Sequence, residues 1–122
     1  MKIENSFASL WEESGILYFI YNDDVIIDLA AAMQIVTDRL TVQKGKDFPI
    51  LCDTRGVKDI DISARRYLAS EGALFIKAIA LLHDNPLSRI FSEIYAQENK
   101  LSIPTKICTD IEVALQFLQE YL

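Results

Sequence analysis

The 122-residue sequence predicts an α/β domain, and three observations carry that prediction. Apolar runs of strand length alternate with stretches whose apolar residues recur at three- and four-residue steps, an alternation that selects helices layered on a mostly parallel sheet. Turn and cap residues fall between the runs. The composition, 51% hydrophobic against 25% charged, is that of an ordered chain. At this length it is expected to fold as one domain over residues 1–122 and to bury roughly two-thirds of its unfolded surface.

In chain order, "SFASLWE" and "GILYFIYN" favour strands and are joined through Glu13, Ser14 and Gly15, which reads as a hairpin. Asn22, Asp23 and Asp24 then punctuate the chain. "VIIDLAAAMQIVTDRLTVQKGK" predicts an amphipathic helix with its apolar stripe on Leu29, Met33, Val36 and Leu40, capped by Asp28 with Asp24 as the competing start. Gly45 ends that helix, and "FPILCD" reads as a strand covered on both faces. A second helix is expected from about Ser63 towards Gly72, then a buried strand in "KAIALLH". Asn85-Pro86 supplies the cap and first-turn proline of a third helix, with Leu87, Ile90, Phe91, Ile94 and Tyr95 inward. "IPTKICT" is the next strand, and Thr109-x-x-Glu112 matches a capping box before a last helix striped by Ile111, Ala114, Leu115, Leu118 and Leu122.

These elements assemble as an N-terminal hairpin, then a four- to five-stranded mixed, mostly parallel sheet with about four helices. Right-handed crossovers bring the loops after Asp53, His83 and Thr109 to one border, where open α/β sheets meet ligands and partners. Those loops are the first places to look for function.

Net charge is −6, and the five Arg and seven Lys form no run longer than Arg65-Arg66, so nucleic acid is not an expected partner. No apolar run approaches the roughly 20 residues of a membrane span, and "MKIENSFASL" lacks a signal-peptide core. The expected location is the cytosol. Cys52 and Cys108 each sit in an apolar run and read as reduced packing thiols. One His and two distant Cys supply no zinc set, and "DDVIID" and "DTRGVKDID" lack calcium-loop spacing. The glycine-rich nucleotide cradles are absent too, so no metal or cofactor is expected.

The stretch from Asp53 onward carries a resemblance. Asp53 ends a buried strand, Arg55-Gly56 makes the turn, and eight residues after Asp53 comes Asp61-Ile62-Ser63-Ala64 at a helix start. "LLHDNPLSRIF" and "TDIEVALQFL" continue the likeness. From about Pro49 to Leu122 the chain resembles the STAS domains shared by sulphate transporters and anti-sigma-factor antagonists, as an offshoot of bacterial type. In the antagonists, the first Ser after the second Asp accepts a phosphate. The resemblance puts Ile62 there, without a hydroxyl, and matches Ser63 to the second Ser and Ala64 to the family glycine. Ser63 therefore reads first as a helix cap and only second as a phosphate acceptor.

The resemblance implies a non-catalytic protein-protein interaction or regulatory module whose rim is Asp53, Arg55, Asp61, Ser63, Arg65, Arg66, His83 and Asn85. Arg65 and Arg66 suit bidentate pairing to a partner, although pairing with Asp59 or Asp61 is the plainer reading. Self-association as a homodimer is expected, because the hairpin edge needs covering. Two alternatives stay open. One is a pocket between sheet and helices for a lipid-like or other small apolar ligand. The other is a small enzyme pairing Asp53 with His83 and Asp84.

Overall fold

The computed structural model describes residues 1–98 and 102–122. The hairpin forms between β2 (Ala8–Glu13) and β3 (Ile16–Tyr21), antiparallel with Glu13 opposite Ile16. Ser14 and Gly15 both take positive φ, 53° and 84°, the hand that a two-residue turn between twisted strands requires. An unforeseen strand, β1 (Lys2–Glu4), pairs antiparallel outside β2. It follows that the hairpin edge is already covered, and the sheet ends instead on β1 and on β8 (Thr105–Cys108).

Three runs, β5 (Phe48–Asp53), β7 (Ile76–Leu82) and β8, lie side by side and parallel, and β5 is parallel to β3 as well. The main sheet has six strands in the order β1-β2-β3-β5-β7-β8, one more than the upper expectation. β4 (Val25–Ile27) and β6 (Val57–Ile60) make a separate two-stranded parallel ladder. Each comes directly after the turn that ends a sheet strand, and neither is long enough to show a two-residue period in sequence.

Helices α1 (Leu29–Gln43), α2 (Ile62–Ala69) and α3 (Pro86–Glu98) cover one face, packing on Leu10, Leu17, Phe19, Ile50, Ile79 and Leu81. α4 (Ile111–Gln119) covers part of the other, its Ala114 and Leu118 packing on Leu51, Ala78, Ala80 and Leu82. Alternation along each central strand serves both layers, which is why these runs are apolar throughout. Asp28 caps α1 as expected, accepting from the Ala31 N–H at 2.8 Å, and Asp24 lies in the preceding turn.

Three inward faces differ from the expected stripes. α1 buries Ala31, Ala32, Ile35, Val36, Arg39, Val42 and Gln43, leaving Leu29 and Met33 exposed. The helix is turned so that alanines approach the sheet and two polar side chains reach backbone carbonyls, a role hydropathy cannot announce. On α3, Phe91 and Tyr95 are buried while Leu87 and Ile90 face out; on α4, Ile111 faces out, and Leu122, expected on the same stripe, lies beyond the end of the helix and is exposed. The α4 cap is Asp110, which accepts from the Glu112 N–H at 2.9 Å, so the Thr109 capping box is one residue out of register. α2 stops at Ala69, and a 3₁₀ turn, Glu71–Ala73, carries the chain on.

Candidate functional site

At the carboxyl border of the sheet, Asp53 and Arg55 come from the end of β5, His83 and Asn85 from the end of β7, and Thr109 from the end of β8. Parallel pairing therefore gathers one half of the expected rim. The Asp53 carboxylate is buried, and both oxygens are engaged by Arg55: Nε donates to Oδ1 at 2.9 Å and Nη2 to Oδ2 at 2.8 Å, with the Arg55 backbone N–H at 3.1 Å from Oδ1. That bidentate hydrogen bonding to Asp53 pushes the Arg55 guanidinium pKa upward. Thr54, fully buried, donates its hydroxyl to the Leu82 carbonyl at 2.8 Å and lies 3.2 Å from the Ser92 hydroxyl, tying β5 to β7 and α3. A lone Thr after a strand carries no motif, so nothing in the sequence marks Thr54.

Asn85 caps α3, accepting from the Ser88 N–H at 2.9 Å, and its amide donates to the Arg55 carbonyl at 3.2 Å. His83 donates its backbone N–H to the Cys108 carbonyl at 3.0 Å, and its ring makes no hydrogen bond among the described residues. Asp53 and His83 share no hydrogen bond, and Asp84 instead accepts from the Asn85 amide at 2.8 Å. No cluster of three metal-ligating side chains occurs among the described residues.

The other half of the rim lies beyond β6. Asp61 caps α2, accepting from the Ala64 N–H at 2.8 Å, which corrects the assignment of that task to Ser63. Ser63 is one residue into the helix, exposed, with no hydrogen bond from its hydroxyl among the described residues. Arg65 pairs with neither Asp59 nor Asp61; its Nε is 3.0 Å from Glu98 on α3, close enough for charge attraction but not aligned as a hydrogen bond. It braces α2 against α3. Arg66 remains exposed, beside a shallow groove shared with Leu29, Ser63 and Tyr67.

What the sequence did not disclose is an apolar surface at the heads of α1 and α2. Ile26 is 60% exposed, Leu29 41%, Met33 47% and Ile62 54%. The β4–β6 ladder sets Ile27 opposite Ile60, and the Asp61 N–H donates to the Ile27 carbonyl at 3.1 Å, so the two helices start side by side. The one sequence signal is the four-residue spacing of Leu29 and Met33, which equally suits a core stripe.

Between the sheet and α1–α3 lies a cavity of about 40 Å³, walled mostly by apolar side chains and reached by Arg39, Tyr21, Cys52 and Tyr95. Both cysteines are free and buried. Burial, together with the neighbouring Asp53, drives the Cys52 thiol far above the usual range, so it is inert. No helix among the described residues is long and apolar enough to cross a membrane.

Residues 10–122 match the family described as a domain of unknown function (DUF7793), and the chain belongs to that family. No curated protein matches the chain. Among solved structures it is similar to an uncharacterized protein of the DUF3478 family with a SpoIIAA-like fold, from Shewanella loihica PV-4. That similarity has a TM-score of 0.66 at 12% identity, and covers 95% of this chain and 98% of the other. The fold is thus SpoIIAA-like, as the STAS resemblance implied.

Proposed function

We propose that this DUF7793 domain is a non-catalytic contact module of the cytosol, which binds a protein partner or a second copy of itself through the heads of α1 and α2. The observation that carries the reading is the exposure of Ile26, Leu29, Met33 and Ile62 beside the exposed cation Arg66. Apolar patches rimmed by charge mark association surfaces, and arginine is favoured at their centres. At Ile62, where the resemblance puts a phosphate acceptor, a branched apolar side chain stands, which suits constitutive rather than phosphate-gated contact. The acid-base reading draws little support, since Asp53 spends both oxygens on Arg55.

Light scattering on the purified domain, with capture of partners from extracts, tests the proposal. A doubled mass or a specifically retained partner is expected, and Leu29→Glu with Ile62→Glu should abolish it while the domain stays folded. A strict monomer that retains no partner, or association indifferent to both substitutions, would refute it.

A second reading, small-ligand binding, is favoured by the cavity. Its volume is about 40 Å³, against roughly 300 Å³ or more for pockets that enclose drug-sized ligands, so a lipid-like molecule would require the layers to part.

A further inference from the structure

We propose that the cavity between the sheet and α1–α3 binds a small carboxylate, with the Arg39 guanidinium holding the acid group and the apolar walls holding a short hydrocarbon tail. This site lies inside the domain and does not depend on the outer contact surface.

Arg39 is 4% exposed, and its charge meets no opposite charge among the described residues. A guanidinium offers five N–H donors. Three hydrogen bonds are made: Nη1 to the Gln43 side-chain oxygen and to the Leu74 carbonyl at 3.0 Å, and Nη2 to the Gly72 carbonyl at 2.9 Å. All three acceptors are neutral. Nε donates to no acceptor among the described residues.

A buried charge is expensive unless an opposite charge meets it. The polar groups around the cavity cannot supply one. Burial raises the pKa values of the Tyr21 and Tyr95 phenols and of the Cys52 thiol well above their ordinary range, so all three are neutral near pH 7. The same burial lowers the pKa of the Arg39 guanidinium. An incoming anion would complete the set.

The cavity selects among anions by size and polarity. With water needing about 10–15 Å³ on this scale, 40 Å³ accommodates the acid group and first carbons of a short acid. Phe19, Ile50, Ile79 and Phe91 offer such a tail dispersion contacts and give nothing to the outward oxygens of phosphate or sulfate.

The test is an NMR titration of the labelled domain with sodium propionate, with propionamide as the neutral isostere and sodium chloride at matched ionic strength. Saturable shifts of the Arg39 Hε and of the Cys52 and Tyr95 amides, accompanied by a rise in Tm, are expected with propionate alone. Arg39→Met should abolish them. Should that variant not fold, Cys52→Met fills the cavity without touching the carbonyl bonds of the guanidinium, and should abolish the response too. Equal shifts with propionamide, shifts scattered over surface lysines, or no saturable shift would overturn the proposal.

Discussion

Gly56 sits in the turn between β5 and β6, and a Cβ built on it would lie 2.2 Å from the Asn22 carbonyl oxygen and 2.7 Å from its carbon. Ordinary contact is 3.4–4 Å, and the atoms in the way are backbone, which cannot rotate aside. Gly56→Ala therefore forces the turn after β3 and the turn after β5 apart by about 1 Å. That displacement opposes the 3.0 Å hydrogen bond from the Val25 N–H to the Gly56 carbonyl, at the start of the β4–β6 ladder. Overpacking of this kind costs about 2–3 kcal/mol. With a urea m-value of about 1.5 kcal/mol/M, the midpoint should fall by roughly 1.3–2 M. Gly45→Ala is the control, since Gly45 has φ +77° with nothing within 4 Å of its Cβ; only the backbone conformation resists, at about 1 kcal/mol. Urea unfolding followed by far-UV circular dichroism ranks the two. Equal losses, or a Gly56→Ala midpoint within about 0.3 M of wild type, would refute the steric argument.

Asp61→Ala removes the cap of α2 and should cost about 1 kcal/mol in the same assay, whereas Ser63→Ala should change stability by less than about 0.5 kcal/mol. Native protein at pH 8 should leave Cys52 unlabelled by a thiol reagent over minutes and yield it once denatured, because its raised pKa leaves almost no thiolate there; rapid native labelling would contradict the packing around it.

The sequence is legible where a single short-range interaction decides the outcome. Asp28 and Asn85 cap the helices they are expected to cap, and the three parallel runs stand out because strands covered on both faces are apolar throughout. What escapes depends on partners distant in sequence. Arg39 and Gln43 lie off the apolar stripe expected of α1, and only the carbonyls of Gly72, Leu74 and Phe75, more than 30 residues away, account for their burial. Likewise, Leu29 and Met33 read as core until the alanines beside them take the sheet contact. The border residues are legible as neighbours but not as partners. Asp53 is locked by Arg55 two residues away, and Arg65 reaches across to Glu98. Sequence spacing cannot choose among such pairings when several charges compete.

The contact surface is tested most directly by a photo-crosslinking residue placed at Ile62 in living cells, with the same residue at Thr41, exposed elsewhere on α1, as the control. A discrete adduct is expected from position 62, to a second copy or to one partner, and none from position 41. Adducts of equal yield at both positions, or none at position 62, would contradict it.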